Sequence, residues 1–260
     1  MTSMGGRTPD RDIAQRRTPA GDRVGRIPGR TDRRTGIRAE PRRRSDLTRQ
    51  EIIDAAVDLF TARGYGETRL QDIVKGAHVT TGAFYYHFDS KAALASAIMA
   101  QGWPKALITI DGCLSQSSSP GLERVILMTF ALSSLMKQDR SVWIANHLNQ
   151  AFGQLNDEGR RSFQNRAQQF IAKVAAALSA EDLRPEVTAQ EVGSQVWITV
   201  HGCHLLSDAL DDDVIQRLAR SWQTLLPGIV PAQSLAYFER FVDRTAGAVA
   251  AGLPAAPRPN

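Results

Sequence analysis

One segment, TRLQDIVKGAHVTTGAFYYHFDSK over residues 68–91, constrains what this chain can fold into more than any other part of it. Its pattern predicts two short helices joined by a tight turn. The second helix, expected over Thr80–His87, has an apolar side formed by Phe84 and the following Phe88. Its other positions carry small, hydroxyl-bearing and polar aromatic residues, a composition that suits a helix entering a groove of DNA.

A longer amphipathic helix is predicted before this segment, over Leu47–Arg63, because its apolar residues recur every three or four positions. Gly64 is a normal stop signal for it. Thr68 is then expected to cap the second helix, whose buried positions would be Leu70, Ile73, Val74 and Ala77. Together the three helices predict a small helix-turn-helix unit.

The outward-facing side of this unit is the candidate DNA interface. Threonine bonds base edges or touches a thymine methyl group, and small residues let a helix sit deep in the major groove. Tyrosine, histidine, lysine and arginine side chains reach phosphate oxygens. The candidate DNA-contacting residues are Arg44, Thr68, Arg69, Thr80, Thr81, Gly82, Ala83, Tyr85, Tyr86, His87 and Lys91. The alternative is a generic three-helix unit with a polar exposed face.

The segment resembles the N-terminal domain of the TetR family of bacterial transcriptional repressors, over about residues 47–101. The matching residues are Ala55, Ala56, Leu59, Phe60, Gly64, Tyr65, Thr68, Ile73, Ala77, Val79, Gly82, Tyr85, His87, Phe88, Lys91 and Leu94. The resemblance implies an all-α homodimer in which Tyr85 and Lys91 touch phosphates and a larger C-terminal domain holds a ligand pocket and the dimer interface. Two positions depart from the family pattern. His78 stands where the turn usually has glycine, and Thr81 where close relatives often have lysine.

The positive charge of the chain is concentrated at its start. Residues 1–44 contain thirteen arginines against five acidic residues, a formal charge of +8, while the whole chain carries +5. This stretch is rich in glycine, proline and threonine, so it is expected to be a disordered tail. Its last arginines, up to Arg44, are expected to contact DNA. The alternative for residues 1–35 is an extension without a function.

After Asp89 the chain reads as helix after helix, with no alternating strand pattern. The expected helices are Ser90–Gln101 with a continuation past a kink at Pro104 to about residue 107, Leu122–Lys137, Val142–Gln150, Arg160–Ser179, Pro185–Asp208, Asp211–Leu225 and Gln233–Ala250. Loops are expected at Ser115–Gly121 and Leu226–Pro231. The predicted organisation is a tail at 1–44, the helix-turn-helix domain at 45–92, a helical ligand-binding and dimerisation domain at 93–250, and a frayed end at 251–260.

Polar and aromatic residues accumulate on the helices of this larger domain. A pocket for a small molecule has mainly apolar walls with a few placed polar groups. The candidate ligand-binding residues are Trp103, Trp143, His147, Gln150, Phe163, Trp197 and His201, with Asn146 beside them. For any single one of them, a satisfied position in the core is the alternative.

The stretch Val192–Ala232 resembles the C-terminal part of the γ-butyrolactone receptor subfamily of actinobacteria, as do IIDAAVDLFTARGY and TGAFYYHF in the first unit. The resemblance implies a repressor of antibiotic or other secondary-metabolite genes. It would leave a pseudo-palindromic operator when a butyrolactone, butenolide or furan signal binds. By register, His201 stands where relatives have a threonine that bonds the ligand, and Phe163 where many have a tryptophan. The alternative is an orphan repressor without a small-molecule ligand.

Other classes of protein find little support in the sequence. No Ser/His/Asp order, paired carboxylates, Gly-rich phosphate loop or metal-ligand spacing stands out, so no catalytic residue, metal or cofactor is expected, and the rival is an all-α enzyme. Without a transmembrane run or signal peptide, a cytoplasmic, nucleoid-associated protein with no membrane partner is expected. Cys113 and Cys203 are expected to be buried free thiols.

The homodimer is expected to be held by Asp211–Leu225 and Gln233–Ala250 with Val196–Leu206, and Trp222 is either an interface anchor or core.

Overall fold

The computed structural model describes residues 39–116, 119–155 and 157–253 of the chain. Within these ranges it contains ten α-helices and no β-strand, which confirms the all-α fold class. The predicted tail up to residue 38 and the end of the predicted frayed terminus, residues 254–260, lie outside the described residues. By their contacts Met1–Arg43 and Arg44–Asn260 form separate units, and the description below concerns the second.

The first four helices are α1 (Ala39–Glu67), α2 (Leu70–Gly76), α3 (Thr81–His87) and α4 (Lys91–Leu114). The first of them begins earlier than predicted. Gly64 interrupts α1 with φ 78° and ψ 164°, a conformation that favours glycine, so the predicted stop appears as a break after which the helix resumes for one turn. In the turn between α2 and α3, His78 has φ 55° and lies in the left-handed region.

The prediction that Thr68 caps α2 was wrong. The N-cap is Arg69, whose side chain makes no capping hydrogen bond. Thr68 is 1% exposed, and its hydroxyl donates to the carbonyl oxygens of Gly64 at 2.8 Å and Leu59 at 3.3 Å. Because α1 breaks at Gly64, carbonyl groups near the break need partners from outside the helix, and Thr68 supplies a donor to them.

The remaining helices are α5 (Gly121–Gln138), α6 (Arg140–Leu155), α7 (Asp157–Ala177), α8 (Ala189–Leu210), α9 (Val214–Ile229) and α10 (Ala232–Ala250). Their number and order confirm the prediction, but several bounds were wrong. α6, expected to end at Gln150, continues to Leu155. α4 continues to Leu114 because Pro104 lies on its exposed side, where solvent can satisfy the carbonyl group that proline leaves unpaired. α8 begins at Ala189, not near residue 185, because Thr188 and Glu191 form a capping box.

A further correction concerns the predicted loop Leu226–Pro231. α9 runs through Pro227 to Ile229. Leu226 and Ile229 are buried while Pro227 is exposed, so the apolar side of the helix stays packed across the proline.

The buried apolar side chains form two clusters. The first joins α1 to α4 and takes in Ile144, Leu148 and Phe152 of α6. The second fills the space among the C-terminal part of α4 and helices α5 to α10. α4 and α6 contribute to both clusters and therefore connect the helix-turn-helix unit to the larger helical part. The predicted domain boundary at residue 92 stays a prediction.

The crossing of α4 and α6 is unusually tight at Gly102. A Cβ atom added there would lie 2.2 Å from the carbonyl oxygen of Ser141 and 2.6 Å from the Cβ of Ala145. Lys105 holds the same crossing by donating to Asp139 at 2.6 Å and to the Ser141 hydroxyl at 2.9 Å. The bond from Lys105, helped by Ser141, lowers the pKa of Asp139 to about 2. The start of α6 is thereby fixed to α4.

Trp222 belongs to the core of the single chain. It is 1% exposed, and its indole N–H donates to the Thr129 hydroxyl at 2.9 Å. This excludes the alternative of an exposed interface anchor. Cys113 and Cys203 are buried and free, which confirms the prediction for both thiols. None of the helices in the described ranges combines the length and apolar character needed to cross a lipid bilayer.

Candidate functional site

The outer face of α3 presents two tyrosines to solvent. Tyr85 is 53% exposed and Tyr86 is 78% exposed, while the preceding residue, Phe84, is fully buried. The Tyr85 ring meets the Phe84 ring edge-on at 5.5 Å, and the Tyr86 ring meets His87 edge-on at 4.9 Å. Burial of Phe84 and Phe88 therefore anchors the helix, and the anchored helix holds both phenols outward.

The start of α3 adds small and hydroxyl-bearing residues to the same surface. Thr80 is the N-cap, and its side-chain oxygen accepts a hydrogen bond from the Ala83 backbone N–H at 3.1 Å. Thr81 and Gly82 are exposed, while Ala83 and His87 are half-buried. The cap orients the Thr80 side chain, and the exposed residues beside it leave room for close approach of a duplex.

Three arginines of the helix-turn-helix unit are candidates for phosphate contacts. Arg44 on α1 and Arg69 before α2 are exposed. Sequence reasoning missed Arg49, whose guanidinium carbon lies 5.1 Å from the centroid of the Phe88 ring. The stacking holds this cation beside α3. In the sequence, the only indication of this role is that Arg49 lies on the polar side of the amphipathic helix α1.

Lys91 is the predicted phosphate contact whose surroundings differ most from expectation. Its ammonium group donates to the carbonyl oxygens of Tyr65 and Thr68, each at 2.8 Å, and lies 4.2 Å from the centroid of the Tyr65 ring. Burial lowers the pKa of Lys91, and Glu67 opposes that shift. Lys91 therefore ties the end of α1 to the start of α4, and one proton of the ammonium group remains for a phosphate.

Thr68 needs a second correction beyond its capping role. Its side chain is buried, and its hydroxyl is used inside the protein, so the structure gives it no surface for a DNA contact. The other predicted DNA-contacting residues stay predictions.

An apolar cavity lies between α4, α5, α6, α7 and α8. Its volume as formed is about 20 Å³, and its walls include three predicted residues, Trp103, Trp197 and His201. Asn146 also lines the cavity. Gly102 and Phe170 are further wall residues that the sequence did not indicate. Gly102 places the cavity directly at the tight crossing of α4 and α6.

His201 is the polar group of this cavity whose state the structure defines best. Its ring packs against Trp197 with centroids 3.7 Å apart and an angle of 39° between the ring planes, and its Nδ1 lies 3.0 Å from the Trp197 carbonyl oxygen. Burial lowers the pKa of His201 to about 4, against a smaller opposing effect of that hydrogen bond. At neutral pH the imidazole is uncharged.

The other predicted ligand-binding residues do not line the cavity. Phe163 packs behind its wall, with its ring 5.8 Å from the Trp197 ring. Trp143 borders a separate surface cleft together with Asp208. His147 stacks on Trp143 at 3.8 Å, and its Nε2 lies 3.0 Å from Asp208. Gln150 is half-buried on α6 and lines neither space. The predicted ligand-binding residues therefore do not form one site. Trp143 and His147, four residues apart on α6, lie on the side of that helix where His147 contacts Asp208 of α8.

No group of three or more histidine, cysteine, aspartate or glutamate side chains that could hold a metal ion occurs in the part of the chain that the structure describes.

Comparisons with known proteins agree with this arrangement. Residues 52–98 match the family model of bacterial regulatory proteins of the tetR family. A solved γ-butyrolactone receptor, an ArpA-like protein, is 26% identical, with a TM-score of 0.64 over 78% of this chain and 98% of that chain. CprB from Streptomyces coelicolor in complex with its biological operator is 27% identical, with a TM-score of 0.62 and the same shares covered.

A curated relative extends the likeness in sequence. The HTH-type transcriptional repressor DhaR of Mycobacterium sp. (strain GP1) is 32% identical over 77 residues, which cover 30% of this chain and 39% of DhaR. This chain therefore matches about two fifths of the length of that relative. Fold and matched segment together define a helix-turn-helix protein with a helical second part. In residues 52–98 this chain is similar to the bacterial regulatory proteins of the tetR family, and its fold is similar to those of the two solved relatives.

Proposed function

We propose that this protein is a DNA-binding transcriptional repressor that leaves its operator when a small, mainly apolar molecule binds. The observation that carries the first half is the surface of α3, where Tyr85 and Tyr86 are exposed above the buried Phe84. Two adjacent exposed tyrosines on a rigid helix suit contact with phosphates and base edges. The relative CprB has been solved with its operator, which supports the same role here.

In the proposed complex α3 enters the major groove, and basic side chains around it hold the phosphates. Arg44 and Arg49 lie on α1, and Arg69 lies directly before α2. Lys91 contributes its remaining proton from the start of α4, where helix amides add a favourable field. The arginines before residue 44 extend this basic surface in sequence.

The protein is proposed to act as a homodimer. Ile198, Leu205, Leu206 and Leu210 of α8 are between 47% and 63% exposed and lie on one side of the helix. Apolar side chains exposed together in this way favour burial against a partner surface. A dimer would place two α3 helices on the two halves of a pseudo-palindromic operator.

The ligand is proposed to bind at the apolar cavity and to act on the crossing of α4 and α6. At about 20 Å³ the cavity as formed has room for about one water molecule, so a larger ligand must separate its walls. Gly102 and Ala145 are both in the wall and in contact with each other's helix. Separation there would move α4, whose first residues clasp the helix-turn-helix unit through Lys91. A ligand shifts DNA binding only by its difference in affinity for the two arrangements.

The proposed signal is of the γ-butyrolactone, butenolide or furan type, and the proposed targets are genes of antibiotic or other secondary metabolism. The similar solved receptor for γ-butyrolactone supports the ligand class. Such a protein would act in the cytoplasm, on the nucleoid.

A second candidate is an orphan repressor that binds DNA without a small-molecule signal. The small volume of the cavity favours it, because walls that include Trp197 and Phe170 leave room for about one water molecule.

A gel-shift experiment with the DNA upstream of its own gene tests both candidates. The purified protein is expected to retard this DNA, and extracts of the producing organism are expected to abolish the shift. A shift that no extract changes would favour the orphan repressor. Absence of any shift at low salt, from purified dimer, would contradict DNA binding by α3.

A further inference from the structure

Helices α6 and α8 carry the same local motif, a tryptophan followed four residues later by a histidine. The pairs are Trp143 with His147 and Trp197 with His201. In both, the ring centroids lie 3.7–3.8 Å apart and the histidine Nδ1 lies 3.0 Å from the tryptophan carbonyl oxygen. A carbonyl oxygen only accepts hydrogen bonds, so Nδ1 of each histidine carries a proton and donates.

The two histidines differ at their other ring nitrogen. His147 Nε2 faces a carboxylate oxygen of Asp208 at 3.0 Å. His201 Nε2 has no hydrogen-bond partner among the described residues, and its ring lines the apolar cavity. The pKa of His201 is lowered to about 4 by burial, so near neutral pH its ring holds a single proton, on Nδ1. Its Nε2 therefore offers only a lone pair to the cavity.

We propose that the ligand of this cavity is a mainly apolar molecule that donates a hydrogen bond, from a hydroxyl or N–H group, to Nε2 of His201. The inference rests on the proposed function, in which this cavity binds the signal. Ether, ester and lactone oxygens only accept, so a ligand with no other polar group would set one lone pair against another. A buried acceptor without a donor is costly, which makes the donor group a condition for tight binding.

The second polar group of the cavity completes the description of the ligand. Asn146 lines the cavity, and no hydrogen bond of its side chain occurs within the described residues. Its amide can donate as well as accept. A carbonyl oxygen of the ligand is therefore matched by Asn146, while its hydroxyl is matched by His201. The structure assigns the cavity to hydroxyl-bearing apolar molecules, and it disfavours lactones and ethers that lack a hydroxyl.

Threonine would not make this selection. A threonine hydroxyl both donates and accepts, so His201→Thr removes the requirement for a donor while keeping a polar group in place. His201→Leu removes the acceptor altogether. The two variants separate a specific hydrogen bond from a general effect of polarity or size.

The tautomer of His201 can be measured directly on the full-length protein. Ring nitrogen and proton correlation spectra at neutral pH distinguish a protonated from an unprotonated nitrogen, and His201→Gln identifies the resonances. We expect His201 to be protonated at Nδ1 and unprotonated at Nε2. A ring protonated at Nε2, or at both nitrogens at pH 7, would overturn the inference. His147, in the same motif but facing Asp208, serves as the internal comparison.

Binding of matched probes tests the consequence. Phenol donates a hydrogen bond, anisole has the same ring with an oxygen that only accepts, and toluene has neither. We expect wild-type protein to prefer phenol over anisole by about tenfold, from the cost of an unsatisfied buried acceptor. His201→Leu should remove this preference, and phenol should shift the Nε2 resonance of His201 where toluene does not.

Equal binding of phenol and anisole by the wild type, or no binding of phenol, would contradict the donor requirement. Retardation of operator DNA is measured on the same preparations. If DNA binding persists while phenol fails to bind, the inference about His201 falls and the repressor proposal stands. If wild-type protein fails to bind DNA, the repressor proposal falls, and the tautomer measurement still decides the state of His201.

Discussion

A single methyl group at Gly102 should separate α4 from α6, and its effect can be isolated with a matched glycine in the same helix. In Gly102→Ala the new Cβ would lie 2.2 Å from the Ser141 carbonyl oxygen and 2.6 Å from the Ala145 Cβ. The first of these atoms is backbone, so it cannot turn away. The two helices must move apart, by roughly 1 Å to restore normal van der Waals contact.

Gly112→Ala is the control. Gly112 also lies inside α4, and an added Cβ there meets no atom within 4 Å. Both substitutions gain the higher helix propensity of alanine, about 1 kcal/mol in each case. The difference between the two variants therefore measures the steric effect alone, and overpacking of this kind typically costs about 1–3 kcal/mol.

Thermal unfolding followed by circular dichroism, at equal protein concentration, tests this expectation. Gly112→Ala should unfold at a slightly higher temperature than the wild type. Gly102→Ala should unfold below Gly112→Ala by roughly 2–12 °C, given about 2–4 °C per kcal/mol for a chain of this size. Equal midpoints for the two variants would refute the tight crossing of α4 and α6, and with it the route by which a ligand in the cavity reaches the DNA-binding helices.

Three further substitutions test other contacts. Lys91→Met loses two hydrogen bonds to backbone carbonyl oxygens and should lower the free energy of unfolding by about 2 kcal/mol, while Lys75→Met at an exposed site should change it by less than about 0.5 kcal/mol. Thr68→Val removes a buried hydroxyl that bonds two carbonyl oxygens and should cost about 1–2 kcal/mol without changing the affinity of the folded protein for DNA. Burial lowers the pKa of His204 to about 4. Between pH 6.5 and pH 4 this histidine is therefore protonated in the unfolded chain but not in the folded protein, so the free energy of unfolding decreases as the pH falls through that range. His204→Leu should reduce the slope of unfolding free energy against pH near pH 5.5 by about 1.4 kcal/mol per pH unit.

Urea unfolding at fixed pH checks the first two, and the same measurement from pH 4 to 7 checks the third. Equal losses in Lys91→Met and Lys75→Met would contradict the clasp between α1 and α4. A loss of DNA affinity in folded Thr68→Val would restore Thr68 to the DNA interface. The third test depends on how steeply the free energy of unfolding changes with pH, and not on its value at any one pH. His204→Leu also removes the hydrogen bond between His204 and the Ser133 hydroxyl, which lowers stability at all pH values.

The sequence predicts that the helices are present, because apolar residues recur at a regular helical spacing. It does not predict where several of the helices begin and end. Thr188 and Glu191 start α8 through a capping box that a period-based reading passes over. Pro227 suggests a loop, yet burial of Leu226 and Ile229 keeps α9 helical across it. In each case a contact outweighed the local signal of a single residue.

The candidate sites were predictable to different degrees for a physical reason. The proposed DNA-binding surface lies on one short helix, so the alternation of Phe84 with Tyr85 and Tyr86 already indicates which side is buried. The cavity is built from five helices, and the sequence does not tell how they are rotated against each other. This is why the sequence could not show that Trp197 and His201 line the cavity while Trp143 borders a different cleft.

The central claim is that α3 contacts DNA, and fluorescence anisotropy with labelled DNA from upstream of its own gene tests it most directly. The comparison is between the wild type, Tyr86→Ala, and Arg161→Ala as an exposed control on α7. Tyr86 is 78% exposed, so its loss should leave stability unchanged while DNA affinity falls by about tenfold, the scale of a lost direct contact. Arg161→Ala should bind as the wild type does. Wild-type affinity in folded Tyr86→Ala would contradict the account and place the DNA interface elsewhere on the molecule.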